Sequence, residues 1–207
     1  MRIDVVTPSR TQPQQSACLS RMIASVAQQK LSRPVEFRIL VALDPAAPEP
    51  ELAGPAASAD VRFTHAETAG QAAALNAALS LADSDLVAFL EDDDSWDRDF
   101  CQTALAAMAA AKADMHTSNQ VVLDRQGGFC GISDFPTPSS WLLKAEAISR
   151  VGLMDPEYIY HLDHDWLGRA GKLELRRVHV VEHTAPRTLG MLRDFRPVLA
   201  QIVQSGS

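Results

Sequence analysis

The 207-residue sequence is short of cysteine, of positive charge and of long apolar runs, and each shortage removes a class of function. Its three cysteines, Cys18, Cys101 and Cys130, are far apart and form no Cys-x-x-Cys pair. That excludes a zinc knuckle and a thioredoxin-type redox motif, and leaves reduced, mostly buried thiols as the expectation. Lysine and arginine total 19 against 26 aspartates and glutamates, a formal charge of −7. A nucleic-acid partner would need a basic face, so none is expected. No apolar stretch approaches the roughly 18 residues that span a bilayer, so no transmembrane segment is expected. The start, Met1-Arg2-Ile3-Asp4-Val5-Val6, enters a strand-like run without the apolar block of a signal peptide. The expected setting is the cytoplasm, with peripheral attachment to a membrane left open.

What is present is a core-forming composition, 46% hydrophobic and 22% charged, suited to one domain. Strand-like apolar runs fall at 3–7, the first ended by Pro8, then at 37–43, 61–64 and 85–90. Helical spacing falls at 15–29, through Leu19, Met22, Ile23 and Val26, and at 70–81, through Ala74, Leu75, Ala78 and Leu79. Between them, 44–60 carries Pro45, Pro48, Pro50, Gly54 and Pro55, a loop or loosely helical excursion. The second half is less regular. It reads as a helix at 104–111, a strand at 120–123, a turn at Gly127-Gly128 and a helix at 144–151 closed by Gly152. A helix at 163–170 ended by Gly171 and a strand at 175–181 follow, with a flexible tail at 201–207.

Alternating strands and helices predict an α/β fold, a mostly parallel central sheet with helices on both faces. Ligands in such sheets bind beyond the carboxyl ends of the strands. Thr7, Asp44 and the run Glu91-Asp92-Asp93-Asp94 all stand at such ends. Adjacent carboxylates repel one another, and a divalent cation, Mn²⁺ or Mg²⁺, relieves that repulsion through oxygen ligands. An EF-hand does not fit, because no glycine stands at the loop centre and no glutamate closes a twelve-residue loop.

Phe89-Leu90-Glu91-Asp92-Asp93-Asp94-Ser95-Trp96 resembles the FLDxDDxW segment of family 2 glycosyltransferases with the GT-A fold. The resemblance implies that Glu91 sits near the ribose and joins Asp93 in holding a metal against the diphosphate, with Asp92 between them. Glu91 replaces the usual Asp. Val5-Val6-Thr7-Pro8-Ser9-Arg10 resembles the family's first strand and turn, which implies that Thr7, Pro8, Ser9 and Arg10 grip base and ribose. Asp44, after Leu40-Val41-Ala42-Leu43, matches the acid that accepts a hydrogen bond from uracil. Gly70 through Asn76 resembles a GGxAxARN helix start, with Leu75 in place of Arg.

Ser139-Ser140-Trp141, Val151-Gly152-Leu153-Met154-Asp155 and Leu162-Asp163-His164-Asp165-Trp166 resemble the later SS, VGGFDE and EDxDW segments. In inverting members the Asp of the ED pair is the general base, which implies Asp163. Leu162 replaces the preceding Glu, and Asp165 stands as the rival base. His161 and His164 are read as pocket or capping residues rather than metal ligands, and His183 and Arg187 as either surface residues or contacts to the pyrophosphate or the metal.

The resemblance implies one GT-A-like domain over 1–200, its nucleotide-sugar half at 1–95 and its acceptor half at 96–200. It implies a nucleoside-diphosphate sugar donor, UDP-linked by family habit, and an acceptor that is a glycan, a lipid-linked molecule or a small molecule. A nucleotidyltransferase would carry a glycine-rich loop after the first strand, and Thr7-Pro8-Ser9-Arg10 has no glycine. A non-catalytic nucleotide- or sugar-binding module of the same fold is the other alternative.

Overall fold

The computed structural model describes residues 1–10, 13–124 and 126–188. The expected tail at 201–207 and the side chains of His183 and Arg187 lie outside what is described. β1 (Arg2–Ser9) lies between β2 (Glu36–Leu43) and β4 (Leu86–Phe89), and β3 (Val61–His65) flanks β2. These strands run parallel to one another. β7 (Leu142–Lys144) continues the sheet antiparallel to β4 and leads to β5 (Met115–Leu123). β6 (Phe129–Ser133) pairs antiparallel with β5, and β8 (Arg177–Thr188) pairs parallel with it. The order is β3-β2-β1-β4-β7-β5-β6, with β8 on β5.

Side-chain alternation along the strands feeds two cores, one on each face. Ile3, Val5, Ile39 and Val41 pack against α1 (Pro13–Ala27) and α3 (Phe100–Ala111) through Leu19, Met22, Ile23, Val26, Phe100 and Ala104. Val6, Leu40 and Phe89 face the other way. They pack with α2 (Gln71–Leu79), α4 (Ala145–Val151) and α5 (Leu162–Lys172), through Leu75, Ala147 and Trp166. Burial on both faces is why these strands read as unbroken apolar runs. Residues 44–60 contain a single 3-10 turn, Gly54–Ser58. Among the described residues no helix is long and apolar enough to cross a membrane.

Several expectations need correction. Pro8 does not end β1; it pairs with Ala42 inside the strand. Val6 accepts a bond from Leu90 on the β4 side, and alternation points Pro8 to that same side, past the end of β4. The β1–β4 ladder therefore stops at the Leu90 bond, because Pro8 has no N–H to extend it.

β5 starts at Met115 rather than 120, and β6 was not expected. The missed segment, Met115-His116-Thr117-Ser118-Asn119, is mostly polar yet at most 8% exposed. His116 packs edge-on against Phe100 at 5.6 Å, and hydrogen bonds hold its neighbours: His179 Nε2 lies 2.8 Å from Asn119 Oδ1, and Thr117 Oγ1 lies 2.9 Å from His179 Nδ1. One tautomer of His179 satisfies both, donating to Asn119 and accepting from Thr117. Helix α5 runs through Gly171 to Lys172, because the left-handed turn comes later, at Glu174 with φ 54°. Only Cys101 is buried; Cys18 is half-buried and Cys130 exposed.

Candidate active site

The order of the parallel strands reverses at β1: β2 and β3 lie to one side and β4 to the other. A crevice opens at such a reversal, beyond the carboxyl ends. Ser9 ends β1 there and the acidic segment follows β4. Pairing continues one residue past β4, since Leu90 N–H donates to Val6 O at 3.1 Å.

The backbone of the acidic segment is then held at several points. Glu91 N–H donates to Ser139 Oγ at 3.1 Å, and Arg21 donates to Asp93 O at 2.9 Å. Asp94 N–H closes a turn onto Glu91 O at 3.1 Å. Trp96 N–H donates to Ser25 Oγ at 3.1 Å and its indole N–H to Ser139 O at 2.8 Å. The Trp96 ring also stacks on Phe100 at 4.5 Å. These contacts force the carboxylates together despite their repulsion.

One ligand oxygen each of Glu91, Asp93 and Asp94 can be chosen so that all lie within 4.8 Å of one another. Hard oxygen donors at that spacing fit Mn²⁺ or Mg²⁺. Asp92 turns away from them and accepts from Ser9 Oγ at 2.6 Å. Burial pushes the Asp92 carboxyl up to about 6; the Ser9 hydrogen bond opposes this and the Asp93 charge adds to it. Gln71, the first residue of α2, donates its side-chain amide to Glu91 Oε1.

The other expected nucleotide contacts distribute around this point. Thr7 and Ser9 are buried at the end of β1, Pro8 is half-buried and Arg10 exposed. Asp44 is half-buried one strand over, directly after β2, and its carbonyl accepts from Ala47 N–H at 3.1 Å. Gly70 precedes α2 with φ 132°. Asn76 has a different environment: its amide donates to Met154 O at 2.8 Å and accepts from Met154 N–H at 2.9 Å. It ties α2 to the segment before α5.

Aromatic rings link β4 to α5. Phe89 meets Trp141 edge-on at 5.6 Å, Trp141 meets Trp166 at 5.3 Å, and the Trp166 indole donates to Gly152 O at 2.9 Å. Trp141 and Trp166 are therefore packing residues. The first turn of α5 carries Asp163 and Asp165, each half-buried. Asp163 Oδ1 accepts from His164 N–H at 2.9 Å and lies 3.1 Å from His164 Nδ1. Asp163 Oδ2 has no hydrogen bond among the described residues. Asp165 Oδ2 is engaged by Arg169 Nε at 2.9 Å, while Arg169 also donates to Val151 O at 2.7 Å and Leu153 O at 2.8 Å. His164 stacks on Phe135 at 4.3 Å, and His161 meets His164 edge-on at 5.0 Å.

From sequence Asp94 was placed in the acidic run but not among the named ligands, Ser139 and Gln71 stood in matched segments without a role, and Arg21 and Ser25 were missed. Asp94 had a signal, as the last acid of the FLDxDDxW segment. The others act through hydrogen bonds between elements distant in sequence, which no spacing reveals.

A family model described as Glycosyl transferase family 2 matches residues 4–152. A comparison with curated proteins finds no match. Among solved structures, S. aureus TarS 1-349 in complex with UDP is similar at 15% identity and TM-score 0.68, covering 99% of this chain and 65% of that one. S. aureus TarS is similar at 16% identity and TM-score 0.68, covering 99% and 39%. TarS 1-349 in complex with UDP-GlcNAc is similar at 15% identity and TM-score 0.68, covering 91% and 58%. At such identity the likeness shows the fold. The chain spans less than two thirds of the length of each of these structures.

Proposed function

The chain belongs to glycosyl transferase family 2, and from that premise we propose that it moves a sugar from a nucleoside-diphosphate donor to an acceptor hydroxyl, with inversion. The observation that carries this reading is the gathering of Glu91, Asp93 and Asp94 beside the strand-order reversal. These residues would hold Mn²⁺ or Mg²⁺, which when bound supplies positive charge to a leaving diphosphate. Thr7, Pro8, Ser9 and Arg10 line the base and ribose, Asp44 takes the uracil N–H, and Gly70 lets the chain pass close to the donor. A UDP-linked donor is supported by the UDP and UDP-GlcNAc in the similar solved structures.

Asp163 is the general base in this proposal. Its Oδ1 is held by His164, which orients the carboxylate, and its Oδ2 takes the acceptor proton. The acceptor oxygen bonds to the anomeric carbon on the side opposite the diphosphate. The anomeric C–O bond breaks, and the diphosphate leaves with the electron pair. Asp165 is committed to Arg169 and serves to fix α5. Tyr158, Ile159 and Tyr160 are exposed just before α5, and their surface suits a glycan, lipid-linked or small-molecule acceptor. The proposed setting is the cytoplasm, peripheral to a membrane, in keeping with three free thiols.

The second reading is a binding module without turnover. Leu75 and Leu162, where the family segments carry charge, are 1% and 4% exposed in the apolar core. Nucleoside diphosphate release from UDP-sugars with Mn²⁺, measured with and without hydroxyl acceptors, separates the two. Catalytic release is expected. Tight donor binding with no release under any acceptor would sink the enzyme reading and leave the module.

A further inference from the structure

Resting on the metal reading above, we propose that Gln71 is a positioning residue, whose side-chain amide fixes the Glu91 carboxylate beside those of Asp93 and Asp94. Glu91 has one more methylene and one more torsion than the aspartate of the segment it resembles. A longer acid reaches the same point only if something holds it there. Its backbone is anchored by Ser139, through Glu91 N–H to Ser139 Oγ at 3.1 Å. Its head is anchored by Gln71, which donates from Nε2 to Glu91 Oε1.

Gln71 is well placed to act as the fixed partner. It opens α2 directly after Gly70, whose φ of 132° is a conformation that side chains with a Cβ rarely adopt. Gly70 O accepts Ala74 N–H at 3.0 Å, closing the first turn. Ala72, Ala74, Leu75 and Ala78 are each at most 5% exposed, so the start of α2 is seated on the sheet.

The residue type matters as much as the contact. A carboxylate offers about four lone-pair sites, and one amide occupies only one of them. A neutral amide orients Glu91 without cancelling its charge. A lysine or arginine in the same place would orient it and also compete with a cation. Carboxylates that ligate metals are commonly held by such outer hydrogen bonds, and losing one typically weakens metal affinity about 10–100-fold.

The test is Mn²⁺ binding to the full chain without nucleotide, read from the paramagnetic resonance signal of free Mn²⁺. The proteins are wild type, Gln71→Ala, Glu91→Asp, the double variant and Asp93→Ala, with melting temperature as a check on folding. Gln71→Ala should weaken Mn²⁺ binding by about tenfold. In the Glu91→Asp background the same change should have less than about a twofold effect, because the shorter acid no longer reaches the amide. Equal losses in both backgrounds would mean that Gln71 acts through the helix start and not through Glu91, which overturns the proposal. So would an unchanged affinity in Gln71→Ala when Asp93→Ala abolishes binding; the metal reading would then survive. No Mn²⁺ binding by wild type, or binding indifferent to Asp93→Ala, would overturn both.

Discussion

At the amino ends of β1 and β2, Asp4 is fully buried and meets a guanidinium; at the carboxyl end of β4, Asp92 is 7% exposed and meets a hydroxyl. Arg38 Nε and Nη2 reach the two oxygens of Asp4 at 2.9 and 2.7 Å. The backbone N–H groups of Asp83 and Ser84 add bonds at 2.9 and 3.0 Å. Burial works against the Asp4 charge, but the Arg38 hydrogen bonds and these N–H groups outweigh it and hold the carboxyl below its usual range. Asp92 is pushed the other way. One end of the sheet is therefore electrostatically closed, and it holds the fold. The other gathers oxygens of Glu91, Asp93 and Asp94 within 4.8 Å of one another, a spacing that suits a site for a cation.

If that division is right, acids at the carboxyl end should matter for chemistry and little for stability. The largest effect is expected from Asp163→Asn. It should leave donor binding and melting temperature nearly unchanged and lower turnover by about 10²–10⁴-fold, the usual general-base contribution. Asp165→Asn should keep most activity and lose less than about 1 kcal/mol, the scale of a part-exposed i,i+4 ion pair. Steady-state kinetics of both variants decide it. An inactive Asp165→Asn beside an active Asp163→Asn would reverse the assignment, and full activity in both would place the base outside α5.

Arg38→Leu attacks the closed end. It strands a buried carboxylate, and breaking such a pair from one side typically costs about 3–5 kcal/mol. Urea denaturation should show that loss, with Mn²⁺ affinity of the remaining folded protein unaltered. A loss under about 1 kcal/mol would mean that the half-buried Arg2 takes over Asp4, from its present 3.8 Å, and that the pair is not the anchor its burial implies.

The first half of the chain was more legible than the second, for a physical reason. Doubly buried strands must be apolar, so Val5, Val6, Leu40, Val41 and Val87 announce the sheet and its carboxyl rim. β5 was hidden because Thr117 and Asn119 are buried through hydrogen bonds and His116 packs edge-on against Phe100, and polarity reads as surface. The acids themselves were visible, but not which way each turns. Asp92 faces inward to Ser9 and Asp94 joins Glu91 and Asp93, a choice made by the turn that closes Asp94 N–H on Glu91 O. Asn76 looked like a nucleotide contact from its motif alone, and its bonds to Met154 come from a segment 78 residues away.

The smallest effect is a stabilisation, and its pH dependence tests the open end directly. In the unfolded chain Asp92 titrates at 3.8, and in the folded chain at about 6. Between those values the folded protein holds a proton that the unfolded chain has released. The stability from this group is therefore complete below about pH 4 and lost as pH rises through 6. An asparagine side chain cannot ionise, so Asp92→Asn should match wild type near pH 4 and exceed it at pH 7, in metal-free buffer, by on the order of 2 kcal/mol. His116 acts in the opposite sense, because burial pushes its imidazole down to about 4 from 6.5. It removes stability as pH falls from 6.5 toward 4, but it does so equally in both proteins and cancels from their difference. Paired urea melts at intervals between pH 4 and 7 read that difference. A gap that stays constant with pH, or a variant weaker than wild type at pH 7, would mean that Asp92 is ionised without penalty and that the two ends of the sheet treat their acids alike.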